Sequence, residues 1–189
     1  AVKFMKKTHP QFNAKKAMEF LNQSHLPLHK KVKTFSKGMI VQAHLGLLMA
    51  VDSDLMILDE PTLGLDPLYR KQFYSHLINQ YFNEDRSIII SSHQIEEIEH
   101  LLTHIIIIDQ GEIILNDSLN EVYQRYCSIT VPADQSKPFL DKKPIGVKQS
   151  LGKNTFIFDR KFNTRIDELG TMEPVSLYHL FIALLENRA

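Results

Sequence analysis

Apolar residues recur along the chain in short bounded blocks whose period switches between that of a helix and that of a strand. The first 33 residues are mainly polar and basic, but Phe12, Phe20 and Leu21 are spaced as one face of an amphipathic helix that also carries Lys15, Lys16 and Glu19. Pro10 precedes that face and Pro27 lies beyond its end. From Lys37 to Val51 apolar residues fall on nearly every face, which predicts a buried helix. Leu55 to Leu58 is too short for a helix and is bounded by breakers, so it predicts a fully buried strand. It runs into Asp59, Glu60 and Pro61; a tight Gly64-Leu65-Asp66-Pro67 turn follows, with Pro67 in the first turn of a helix reaching Phe82.

The alternation then repeats. Ser87 to Ser91 predicts a second buried strand, Gln94 to Leu102 an acidic amphipathic helix, and His104 to Asp109 a third strand. Gln110-Gly111 is a two-residue turn into Glu112 to Leu115, and a short helix follows Ser118. Strand–helix–strand–helix–strand predicts an α/β fold with a parallel sheet flanked by helices, over residues 1–126. Over 127–189 the texture changes. Pro132, Pro138 and Pro144 interrupt a polar stretch, Thr155 to Asp159 reads as a short strand, and Leu177, Leu180, Phe181 and Leu184 form one face of a helix from Val175 to Asn187. The expectation is a small α+β appendage.

Composition narrows this only a little. The 189 residues are 43% hydrophobic and 23% charged, enough for a real core in a globular chain. Net charge is zero, so bulk electrostatics favour neither nucleic acid nor a membrane surface. The single Cys127 cannot form an internal disulfide, which suits a reducing compartment, and apolar runs such as Ile105 to Ile108 fall far short of the roughly 20 residues a membrane span needs. The expectation is a cytoplasmic protein. No methionine opens the chain, which reads as a piece of a longer one.

The chemistry clusters between Phe35 and His93. In an open parallel sheet, ligands sit beyond the carboxyl ends of the strands, where Asp59, Glu60 and His93 fall. Adjacent acids on an extended backbone point to opposite sides, so one can hold Mg²⁺ through its waters while the other faces an attacking water. Pro61 is expected to keep Glu60 out of the α region. Ser36 and Gly38 open a helix, where exposed N–H groups attract phosphate and Lys37 adds a full charge. Taken singly, an acidic strand end and a plain N-cap would look the same. The other eight histidines lack metal-ligand spacing; His100 and His104 are i, i+4 but straddle a helix-to-strand break.

In order, these pieces resemble the ATP-binding-cassette (ABC) ATPases. Phe35-Ser-Lys-Gly-Met39 is similar to the family's signature, Leu55 to Glu60 to its Walker B strand, Leu63 to Pro67 to its D-loop, and Ser91-Ser92-His93 to its switch histidine. The resemblance runs from Thr34 to Val122 and is most like export-type transporter ATPases. It implies a P-loop-NTPase-like sheet, with ATP and Mg²⁺ as cofactors. Asp59 would hold Mg²⁺ through water, and Glu60 would be the general base. His93 would contact the γ-phosphate. Ser36, Lys37 and Gly38 would face the nucleotide held by a second ATPase subunit, identical or not, and Asp66 would lie along that seam. Membrane-spanning permease subunits would be the other partners, placing the protein at the inner side of the cell membrane; no nucleic-acid partner is implied. Lys37 and Met39 depart from the family's Gly and Gln.

A P-loop, G-x-x-x-x-G-K-[ST], does not precede Phe35, and the first strands, the adenine-stacking aromatic and the Q-loop glutamine are also missing. Gly146 to Thr155 is a decoy with one residue too many between its glycines, and reads as a hairpin turn. The expectation is therefore the C-terminal portion of an ABC transporter's ATP-hydrolysing subunit, inactive by itself. The alternatives are a soluble ABC ATPase acting in translation or on DNA, or a non-catalytic half-cassette that completes a partner's site.

Overall fold

The computed structural model describes residues 1–82, 85–162 and 171–188; residues 163–170 and 189 of the expected appendage lie outside these. The chain forms two compact units, Ala1–Gln94 and Ile95–Ala189. Cys127, where the appendage was expected to begin, lies inside a strand of the second unit, Tyr126–Pro132. The architecture is mixed α/β.

The first unit opens with α1 (Val2–Thr8) and α2 (Ala14–Gln23). Asn13 caps α2, its side-chain oxygen accepting the Lys16 N–H at 3.0 Å. Helix α3 (Lys37–Leu48) packs on α2 through a cluster of Phe12, Ala17, Leu21, Leu26, Leu47 and Ala50. Only the last turns of α3 are buried, at Leu45, Gly46 and Leu47; the expected all-round burial does not hold, because α2 covers one side alone. Strand β1 (Leu55–Asp59) leads through a turn to α4 (Pro67–His76), which continues as one π-helical stretch over Leu77–Tyr81. Strand β2 (Ser87–Ser91) pairs with β1 in parallel, Leu55 opposite Ser87 and Asp59 opposite Ser91.

Both strands were expected to be fully buried, and neither is. Met56 and Leu58 are buried, but Ile57 is 68% exposed and Ile89 55%. The two strands form a two-stranded sheet. Alternate side chains on a pleated strand leave on opposite faces, and here only one face is packed. A short unbroken apolar run cannot reveal which face will be covered.

In the second unit the expected acidic helix shortens to α5 (Ile95–Ile98) and a 3₁₀ turn at Glu99–Leu101. Strand β3 (His104–Asp109) was expected to lie parallel in a common sheet. It pairs instead with β4 (Glu112–Ser118) in a two-stranded antiparallel sheet, because Gln110 and Gly111 both take positive φ, 48° and 84°, and turn the chain straight back. Helix α6 (Leu119–Arg125) starts in a capping box between Ser118 and Glu121. Strand β5 (Tyr126–Pro132), helix α7 (Lys137–Leu140), β6 (Gly146–Ser150), β7 (Lys153–Asp159) and β8 (Glu173–Pro174) follow, the strands forming a sheet of order β6-β7-β5-β8. The P-loop decoy is the β6–β7 hairpin, as its residues predicted.

Alternation along β7 divides the core of this unit. Phe156 and Phe158 join Cys127, Ile129 and Phe139 on one face, while Ile157 joins Tyr126, Val175 and helix α8 (Leu177–Glu186) on the other. Arg125 closes the end of the sheet. Its Nε and Nη2 donate to Asp159 Oδ2 at 3.0 and 2.8 Å, and this hydrogen-bonded carboxylate raises the guanidinium's already high pKa.

Candidate functional site

The site is assembled at the carboxyl ends of β1 and β2. Strand β1 delivers Asp59 and Glu60 there because its in-register neighbour, Ser91, ends β2 at the same level. The Ser91 hydroxyl donates to Asp59 Oδ1. Ser91 also accepts the Glu60 N–H, on both its carbonyl and its Oγ, each at 3.1 Å. Those bonds turn the backbone at Glu60, whose φ is +43°. The expected extended backbone at Glu60 is therefore corrected: the residue avoids the right-handed α region, as the following proline requires, by entering the left-handed one. Such a conformation is costly for any residue with a Cβ and persists here because Ser91 and the Glu60–Leu63 turn hold it.

The two acids have different partners. Glu60 Oε1 accepts the His93 backbone N–H at 3.0 Å and lies 2.7 Å from His93 Nδ1. Both side chains stay accessible, 32% for Glu60 and 62% for His93. Asp59 is exposed and faces Ser91. One carboxylate is thus held by a hydroxyl and the other by an imidazole. Ser91 is the residue that sequence reasoning passed over as a site member. The signal was available in its place at the end of the second apolar strand, level with Asp59.

The helix-start residues lie elsewhere in the same unit. Ser36 caps α3, its Oγ accepting the Met39 N–H at 3.2 Å. Lys37 is exposed at the first helical position. Gly38 packs against the following turn: a Cβ placed on it would lie 3.4 Å from the Gly64 carbonyl oxygen. Gly64 itself needs its freedom from a side chain, at φ +84°. Asp66 caps α4, one carboxylate oxygen accepting the Leu68 and Tyr69 N–H groups at 3.1 Å each. Among the described residues no hydrogen bond or ion pair joins Ser36, Lys37 or Asp66 to Asp59, Glu60 or His93.

Among the described residues no group of three or more His, Cys, Asp or Glu side chains is arranged to hold a metal ion. An exposed carboxylate beside a hydroxyl suits Mg²⁺ through water, with phosphate oxygens supplying the remaining ligands. The chemistry of Asp59 fits that role, and among the described residues no cluster completes a cage around it. No helix among the described residues is long and apolar enough to cross a membrane.

No protein-family model matches the chain. It is 28% identical to the ABC transporter ATP-binding protein YtrB of Bacillus subtilis, over 96% of this chain and 65% of that protein. It is 33% identical to the ABC transporter ATP-binding protein NatA of the same organism, over 51% of this chain and 39% of that protein. A third relative there is the linearmycin resistance ATP-binding protein LnrL, 35% identical over 53% of this chain and 32% of its own length. The chain therefore spans less than two thirds of each of these relatives. A crystal structure provisionally assigned to a cobalt transport ATP-binding protein covers 84% of this chain and 59% of its own at 18% identity, with a TM-score of 0.49, too weak a likeness to carry weight.

Proposed function

From the chain's kinship with the ATP-binding proteins of ABC transporters, as their C-terminal part, we propose that it supplies one half of a composite ATP-hydrolysing site. The observation that carries this reading is the split between the two acids. Glu60 is held by His93, and Asp59 by Ser91, at the carboxyl ends of adjacent parallel strands.

Phosphoryl transfer to water needs a positioned nucleophile and compensation of charge more than covalent chemistry. Glu60 is placed to accept the proton of an attacking water on its carboxylate, with His93 fixing one of its oxygens and so aiming the other. With Nδ1 donating to Glu60, His93 would donate to a phosphate oxygen from its other ring nitrogen only in the imidazolium form, where both nitrogens carry protons. Asp59 would hold the waters of Mg²⁺, which when bound neutralises phosphate charge. Ser36, Lys37 and Gly38 form a helix start suited to a phosphate, and they serve the nucleotide of a second subunit, while Asp66 lies at the seam between the two. Nothing in this chain provides the glycine-rich cradle for the same nucleotide, so it turns over no ATP by itself. In the intact protein the work is transport through separate membrane-spanning subunits.

The arrangement in trans is tested by assembly. The intact protein carrying Glu60→Gln, slowed in hydrolysis, should dimerise on size-exclusion chromatography when saturated with ATP, and adding Ser36→Arg should abolish the dimer. A dimer that survives Ser36→Arg removes the serine turn from the seam.

A further inference from the structure

A cleft in the first unit gathers cations that the carboxylate site does not use. It encloses about 640 Å³ and is lined by Lys6, Lys15, Lys16 and Arg86, with Asp52 as the one acid among the described lining residues. Asp52 and Arg86 precede β1 and β2, so the cleft lies at the strands' amino ends, about 13 Å or more from Asp59 across a five-residue strand. The local sequence explains the charge. Residues 1–33 carry eight lysines against Glu19 alone, although the whole chain balances 22 basic residues with 22 acidic ones.

Two of the cations, Arg86 and Lys16, are held in place by contacts with Tyr81. The Arg86 guanidinium stacks over the Tyr81 ring at 4.9 Å, donates from Nη1 to the Tyr81 carbonyl at 2.8 Å, and pairs with Asp52. Lys16 Nζ lies 5.7 Å from the centroid of the same ring. Burial, and then the charge of Arg86, push the Lys16 ammonium below its ordinary range, with Asp52 pulling the other way. The first turn of α2 also lines the cleft and adds the partial positive charge of a helix start. Cations brought this close repel one another, and a multiply charged anion among them would relieve that repulsion.

We propose that this cleft binds a phosphate-bearing polyanion through Lys6, Lys15, Lys16 and Arg86. The chemistry is shared by free polyphosphates and by anionic lipid headgroups, and the site is independent of Glu60 and His93. The test uses the full chain at low salt without Mg²⁺, titrated calorimetrically with inorganic pyrophosphate and, separately, sedimented with phosphatidylglycerol or phosphatidylcholine vesicles. Pyrophosphate binding identifies a free ligand, and capture by phosphatidylglycerol but not phosphatidylcholine identifies a headgroup. Either should weaken about tenfold in Lys15→Gln/Lys16→Gln. Either should also fade near ~0.5 M salt, where screening shortens to about 4 Å. Should Lys16→Gln disturb packing on Tyr81, Lys6→Gln/Lys15→Gln, at two exposed positions, takes its place. Binding of neither probe, or binding equally tight in the variant that folds, overturns the assignment.

Discussion

His93 grips Glu60 twice through one oxygen, its backbone N–H at 3.0 Å and its ring Nδ1 at 2.7 Å from the same Oε1. A side chain held at two points loses little further freedom when a substrate arrives, which suits a group that must aim at one water. Glu60→Gln preserves the shape and both contacts but removes the basic oxygen. In the intact protein, ATP binding should persist while turnover falls roughly 10²–10⁴-fold, measured by phosphate release. Unchanged turnover would take Glu60 out of the role.

Asp66 has a structural duty that can be separated from the proposed one at the seam. Its carboxylate caps α4. Asp66→Ala should cost about 1 kcal/mol in denaturant unfolding, whereas Asp66→Asn, which caps as well, should cost only a few tenths. If Asp66→Asn retains stability yet impairs hydrolysis in the intact protein, the charge matters beyond the cap.

Gly146 has no room for a side chain. A Cβ there would lie 2.5 Å from the Ala183 Cβ, pressing β6 away from α8. Gly146→Ala is expected to destabilise the second unit by about 1–3 kcal/mol, read from its thermal or urea midpoint. Adding Ala183→Gly should recover part of the loss. A single variant as stable as the parent would mean that strand and helix are not packed this closely.

His179 makes the second unit sensitive to acid. Burial holds its imidazole below the ordinary 6.5, Lys148 adds to that shift, and Glu96 opposes it. The unfolded chain therefore binds the proton more readily, so stability is complete above about pH 6.5 and declines as pH falls through the folded value. His179→Gln should flatten the dependence of the melting midpoint on pH below 6.5 relative to the parent. Parallel curves for the two proteins would locate the acid sensitivity elsewhere.

Several features followed from local chemistry. Asp66 and Pro67 specify the start of α4, Ser118 and Glu121 that of α6, and Gln110-Gly111 the β3–β4 reversal, because caps and tight turns depend on a few neighbouring atoms. The apolar block at Leu55 to Leu58 correctly announced a strand ending in two acids, and the order of signature, strand and turn matched the kinship found. What the chain alone could not decide was which surfaces would be covered, with which strand each strand would pair, and how Glu60 would be held. Ile57 looks as apolar as Leu58 in sequence, yet one is exposed and the other buried, and His104–Asp109 pairs with its hairpin neighbour rather than extending a parallel sheet. The left-handed turn at Glu60 and its bonds to Ser91 and His93 join residues more than thirty positions apart. Short-range rules settle where an element begins and ends. Burial, pairing and the geometry of the acids depend on which distant segments meet, and only the folded structure determines that.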